Sequence, residues 1–171
     1  MIKTLVPNII YGGLDGIITT FSIVLGSVGS GLSPQVALIL GLSNVVADGF
    51  SMGVASYESV IEPTFKHQEI YKGFITFSAF VILGMIPLLS LVYLMYRKPK
   101  NINFNHTNIR NIITLTLVSF LLVGILKSHF KHTDKNKKQK IKTVILTLIS
   151  GSFAGLISYL IGHYLKNIIL N

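Results

Sequence analysis

The sequence predicts an all-α integral membrane protein of five transmembrane helices, with its N-terminus in the cytoplasm. Three observations carry that prediction. Half of the 171 residues are hydrophobic and only 12% are charged, about half the charged fraction of an ordinary soluble domain, and the mean hydropathy is +0.64. The apolar residues gather in runs as long as a bilayer core is thick, about 20 residues each. Seven of the 15 lysines and arginines fall between Lys127 and Lys142, in one short connection between two apolar runs. Clustering of this kind orients a membrane protein and attracts anionic lipid. The net charge of +9 is therefore not read as a sign of nucleic-acid binding. The absence of cysteine excludes disulfides, thiolate metal sites and cysteine nucleophiles.

The first span is expected over about 9–28. Pro7 and Asp15 interrupt the apolar run and no small-x-small cleavage site stands out, so this span is expected to act as its own insertion signal. Gly12, Gly13 and Gly16 give it a small-residue face that another helix can approach closely. A glycine-rich turn, Gly29 to Pro34, follows, in which Ser33 and Pro34 have the pattern of an N-cap and a first helical residue. The second span is expected over 34–57. A short polar linker, 58–72, holds three of the six acids: Glu58, Glu62 and Glu69. The third span, 73–95, contains Pro87, which is expected to kink it. The fourth, 109–126, leads into the basic loop 127–140. The fifth, 141–165, carries Gly151, Gly155 and Ser158 on one face. Ten cationic residues then share the side of the N-terminus and five the other, which places the N-terminus in the cytoplasm. The chain is a single five-span domain.

Only two of the six acids, Asp15 and Asp48, lie inside predicted spans. A charge at that depth costs roughly 2.5–3.5 kcal/mol on insertion scales unless it meets protein, water or an ion, so an intramembrane carboxylate points to function. Residues four apart share a helical face, which aligns Asn44, Asp48, Met52 and Ser56, with Ser51 beside them. Antiparallel packing of the first two spans would let Asp15 and Asp48 share one lumen. Magnesium and calcium favour all-oxygen shells, whereas a thioether suits later transition metals. Two carboxylates with Met52 therefore indicate a transition-metal cation such as Fe²⁺ or Mn²⁺, handled in transit rather than held as a resident cofactor. Desolvation penalises the charged carboxylates and makes them candidate proton carriers. Glu58 and Glu62, one turn apart, are candidates for collecting cations at the cytoplasmic mouth, though a solvated helix end explains them as well. His129 and His132 sit among lysines, which repel cations, and a helix-end role at the membrane interface fits His163.

Two stretches carry a family resemblance. Gly13-Leu14-Asp15-Gly16-Ile17-Ile18-Thr19-Thr20-Phe21, and Ala47-Asp48-Gly49-Phe50-Ser51-Met52-Gly53 followed by Ser56-Tyr57, resemble the first two spans of the vacuolar iron transporter family. Gly84-Met85-Ile86-Pro87 in the third span, Leu122 to Lys127 in the fourth and Gly155 to Gly162 in the fifth extend the match in the same order. The resemblance implies a five-span homodimer that moves Fe²⁺, and often Mn²⁺, out of the cytosol in exchange for protons, with Asp15 and Met52 lining the path. Three departures stand out. Asn44 occupies a position where some members have Glu, and Asp48 offers a carboxylate one turn along. Ser56 stands just before the tyrosine, where many members have Gly or Glu. The gap between spans two and three is too short for the Glu- and Met-rich domain that iron-transporting members often insert there, so the chain resembles a short form.

The expected function is thus a transporter, not an enzyme, in which Gly12, Gly13, Gly16 and Pro87 serve helix packing and hinging. Its partners are a second copy, membrane lipid and divalent transition-metal cations. The alternative is a non-transporting scaffold or regulatory subunit whose polar stripe only packs helices. An aspartyl intramembrane protease is disfavoured, because Leu14 precedes Asp15 where glycine is expected and nine spans are not available. The membrane itself, vacuolar, endomembrane or plasma, is not written in the sequence.

Overall fold

In a computed structural model the protein is described over residues 2–59, 66–97, 104–131 and 137–169. These form five helices: α1 (Ile2–Ser30), α2 (Pro34–Glu58), α3 (Lys66–Arg97), α4 (His106–Lys131) and α5 (Lys137–Ile169). All five are long and apolar enough to cross a bilayer, and the chain is a multi-pass membrane protein. No strand occurs among the described residues. The helices extend past the spans expected from hydropathy, because solvated polar turns continue them beyond the apolar core. Residues 60–65, including Glu62, and residues 132–136, including His132, lie outside the described residues.

Local chemistry sets the helix ends. Gly31 adopts φ +73°, and Leu32 N–H donates to Ser27 C=O at 2.9 Å while Gly31 N–H donates to Val28 C=O at 3.2 Å. This is a Schellman cap, which needs a left-handed residue that glycine supplies without a Cβ penalty. Ser33 then caps α2, its side chain accepting from Val36 N–H, with Pro34 as the first helical residue. Asn105 opens α4, its Oδ1 accepting from Asn108 N–H at 2.8 Å. Neither proline ends a helix: α1 runs through Pro7 and α3 through Pro87. Each removes one intrahelical hydrogen bond, and in α3 the Ser90 hydroxyl donates to the Pro87 carbonyl at 2.8 Å.

The bundle is built around α1, which contacts all four other helices. Helices α3 and α5 run parallel to it on two different glycine faces. A β-carbon on Gly16 would overlap the Phe80 carbonyl oxygen of α3, while one on Gly84 would lie 3.1 Å from the Gly16 carbonyl oxygen. Towards the other end, a β-carbon on Gly29 would overlap the Tyr159 carbonyl of α5, and one on Gly162 the Gly26 carbonyl. Backbone-to-backbone approach of this kind drives association where lipid is as apolar as leucine. Gly12 and Gly16 are thus committed to packing within a continuous helix.

The core holds Ile17, Phe21 and Val24 of α1, Val45 of α2, Leu88 of α3 and Phe120 of α4, with the Phe21 and Phe120 rings edge to face at 6.0 Å. Large apolar side chains such as Phe50, Phe74, Ile149 and Phe153 point outward, as lipid-facing groups do. Helix α5 buries Thr147, Gly151 and Gly155 instead of large apolar groups. The buried hydroxyls of Thr20, Thr116 and Thr147 each donate back to the carbonyl four residues earlier, which satisfies these three donors within their own helices. The Ser158 hydroxyl reaches between helices, donating to Ser22 C=O at 2.7 Å. Ser158→Ala is expected to lower stability by only about 0.6 kcal/mol, the average for such a bond in a membrane bundle, read as a small shift in an SDS unfolding titration.

Candidate functional site

The site is positioned by the way α2 seats on α3. Gly41, Val45, Gly49 and Gly53 form the buried face of α2. A β-carbon on Gly53 would meet Phe77 and the Gly73 carbonyl, and one on Gly49 would crowd the Phe80 ring. With that face fixed, the adjoining stripe of Asn44, Asp48, Met52 and Ser56 is half-buried. Ser43, Ala47, Ser51 and Ala55 are exposed.

Asn44 Nδ2 donates to Asp48 Oδ2 at 2.6 Å, a short charge-assisted bond that orients the carboxylate. Asp15 of α1 is half-buried as well. It makes no hydrogen bond within the described residues, and its carboxylate is close enough to that of Asp48 for their charges to interact. The two intramembrane acids thus lie on α1 and α2, helices in contact with each other, with Asn44 one turn to one side of Asp48 and Met52 one turn to the other.

A groove of about 1070 Å³ lies at the end of the bundle that holds the N-terminus of α1. Asn8, Tyr11 and Leu14 of α1 line it, with Met52, Ala55 and Ser56 of α2 and Lys127 and His129 of α4. Asp15 and Asp48 each lie one turn deeper than a lining residue, Tyr11 and Met52 respectively. Lysines 72, 127, 137, 138, 140 and 142 surround this end, which we call the basic end. Glu58 is exposed there at the close of α2.

Among the described residues, no three His, Asp or Glu side chains come together as a metal cage. A cation at this site would meet two carboxylates, one amide and one thioether, the rest of its shell being water or groups from a second copy. Hard and soft donors together suit a borderline transition-metal ion better than Mg²⁺ or Ca²⁺. His129 packs its ring edge to face on Phe130 at 5.4 Å, and His163 stacks on Tyr159 at 6.2 Å. Both are thus ring-packing groups in this structure, and His163 lies at the opposite end from the groove.

Sequence reasoning missed Asn8. Its Nδ2 donates to Ser56 Oγ at 2.7 Å and to Thr76 Oγ1 at 3.1 Å, joining α1, α2 and α3. The signal was present: Asn8 precedes Asp15 by two helical turns and so shares its face.

The VIT family model matches residues 6–64 and 61–163. The chain belongs to the VIT family. A Plasmodium berghei (strain Anka) protein named Vacuolar iron transporter is 25% identical, over 96% of this chain and 83% of the relative. A Plasmodium falciparum (isolate 3D7) protein of the same name is 24% identical, over 96% and 84%. A Toxoplasma gondii (strain ATCC 50861 / VEG) protein, also so named, is 50% identical over 54 residues, 32% of this chain and 18% of the relative. The Plasmodium alignments run over 238 and 235 residues, more than the 171 of this chain, so these relatives carry additional residues inside the matched region. The family match itself divides at 61–64, in the connection between α2 and α3. The chain is accordingly a short form beside these relatives. The first matched stretch contains the whole candidate site on α1 and α2, from Asn8 to Ser56.

Proposed function

We propose that the protein carries Fe²⁺, Mn²⁺ or both out of the cytosol in exchange for protons, as a homodimer with the basic end in the cytoplasm. The observation that carries this reading is the pair of intramembrane acids, Asp15 and Asp48, each one helical turn beyond a residue that lines the groove, Tyr11 and Met52 respectively. Two carboxylates in a poorly hydrated site repel when both are charged. A divalent cation relieves that repulsion, and so do protons. Occupancy by one therefore competes with occupancy by the other, which is the chemical requirement for antiport. The names of the Plasmodium relatives favour iron as the cargo.

Cation reaches the groove from the cytoplasm, with Glu58 and Glu62 collecting it at the mouth and the lysines fixing the orientation of the chain. It passes Met52 to the carboxylate pair and leaves on the far side. The exposed small residues Ser43, Ala47 and Ser51 leave room for a second copy, which would complete the cation's shell. Pro87 is the candidate hinge in α3, since its missing N–H leaves one carbonyl free to shift.

Flux in proteoliposomes under an imposed pH gradient tests the reading. Asp48→Asn is expected to lower Fe²⁺ and Mn²⁺ flux about tenfold, the effect of roughly 1.4 kcal/mol, with the amide still able to accept from Asn44. A helix-packing stripe without transport predicts altered assembly and unchanged flux for the same variant. An intact protein that moves neither metal refutes the proposal.

A further inference from the structure

The cluster that joins α1, α2 and α3 near the basic end contains three side chains and a carbonyl. Four contacts tie them: Asn8 Nδ2 to Ser56 Oγ at 2.7 Å and to Thr76 Oγ1 at 3.1 Å, Ser56 Oγ to Thr76 Oγ1 at 2.9 Å, and Thr76 Oγ1 to the Lys72 carbonyl at 2.8 Å. Proton counting fixes their directions. The Lys72 carbonyl only accepts, so the single Thr76 proton goes to it. Thr76 Oγ1 then accepts from Ser56 and from Asn8, and the second amide proton of Asn8 goes to Ser56. All four contacts are satisfied in this way. With the amide reversed, only the two hydroxyl protons would remain for four contacts.

This assignment leaves Asn8 Oδ1 outside the cluster, with no hydrogen-bond partner among the described residues. Ser56 Oγ also keeps one unused lone pair. Both residues line the groove, and so does Met52, one turn deeper than Ser56. We propose that Asn8 Oδ1 and Ser56 Oγ, with the Met52 thioether, form a neutral capture site for a divalent transition-metal cation, occupied before the ion reaches Asp15 and Asp48. The proposal rests on the transporter reading above and extends it to residues outside the carboxylate pair.

Size and charge support it. The groove of about 1070 Å³ accommodates an ion with its full shell of about six waters, at ~30 Å³ each. Among the described residues, the charged or titratable groups lining it are Tyr11, Lys127 and His129, and no carboxylate lines it. Lys127 opposes a cation, so capture here depends on direct replacement of water by oxygen dipoles and sulfur. Neutral ligands hold the ion weakly enough to release it inward, where two carboxylates wait. The amide is already immobilised by its two donated bonds, so ligation costs it no further loss of side-chain freedom.

The experiment is the KM and turnover for Mn²⁺ and Fe²⁺ in proteoliposomes, for the wild type and for Asn8→Leu, Asn8→Asp, Ser56→Ala and Thr76→Val. Asn8→Leu is expected to raise KM about fivefold, the scale of one neutral polar contact, with turnover little changed. Asn8→Asp restores an oxygen ligand and adds charge, so its KM should return to the wild-type value or fall below it. Thr76→Val loses helix contacts but no ligand and should leave KM near wild type while lowering the melting temperature. A purely structural cluster predicts that Asn8→Asp, which loses both donors, behaves as badly as Asn8→Leu, and that result overturns the capture site. Should Asn8→Leu fail to fold, Ser56→Ala decides, with a KM rise of about two- to fivefold expected and an unchanged KM counting against the site. If the wild type moves metal and every variant keeps its KM, the capture site alone is wrong. If the wild type moves neither metal, the transporter reading fails and the capture site with it.

Discussion

Asp15→Asn is expected to reduce Fe²⁺ and Mn²⁺ flux by roughly a hundredfold or more. Attraction between two unit charges near contact is about 4 kcal/mol at an effective dielectric constant of 20, close to three decades in binding at 1.4 kcal/mol each. Partial compensation by Asp48 and water brings the expected loss down to about two. Asp15 should be the more sensitive of the two acids for a structural reason. Asp48 shares its charge with the Asn44 amide at 2.6 Å, whereas Asp15 accepts no hydrogen bond from any described residue and has its lone pairs available. The substitution removes a desolvated charge, so the melting temperature in detergent should hold or rise while flux collapses. Wild-type flux in Asp15→Asn would remove that residue from the path.

Gly16→Val should produce the largest loss of stability. A β-carbon there overlaps the carbonyl oxygen of Phe80, a backbone atom of α3 that cannot rotate away, and Gly84 of α3 already lies against the Gly16 carbonyl. Relief requires α1 and α3 to move apart, which opens the most extensive helix pair in the bundle. Overpacking typically costs about 1–3 kcal/mol, and a rigid backbone partner places this case at the upper end. Gly13→Ala is the contrast. Its β-carbon would meet the Leu83 side chain, the end of a flexible group that can change rotamer, so a loss of about 1 kcal/mol or less is expected. Thermal unfolding of both variants in one detergent measures the difference. Equal melting temperatures would mean that the α1–α3 approach is not a determinant of stability.

Much of this was legible before any fold was known. Hydropathy and length give five spans, because the cost of bare backbone in hydrocarbon leaves helices as the solution for such segments. The spacing of Asn44, Asp48, Met52 and Ser56 gives one stripe, because the helical repeat is fixed. The small-residue faces at Gly12 and Gly16, and at Gly151 and Gly155, were visible as spacing and are used in packing. Burial shows where such reasoning stops: Ser51, three residues from Asp48, is exposed while Asp48 is half-buried, because a helix's rotation about its axis depends on what it packs against. Asn8 shows the converse: a lone amide near the start of an apolar run carries little weight until Ser56 and Thr76 from two other helices are found beside it.

By itself the sequence determined the class, the number of spans, the intramembrane acids and the thioether that accompanies one of them. All of these are properties of a single segment, set by transfer energies and helical periodicity. Tertiary structure decided which segments meet. It placed α1 at the centre, packed together the helices that carry Asp15 and Asp48, and joined Asn8 to Ser56 and Thr76 beside a groove. Those outcomes depend on contacts between residues tens of positions apart, where backbone fit at glycines selects the partner and rotation of each helix. Periodicity within one helix says which side chains travel together; only the neighbour it lies against says which way they point.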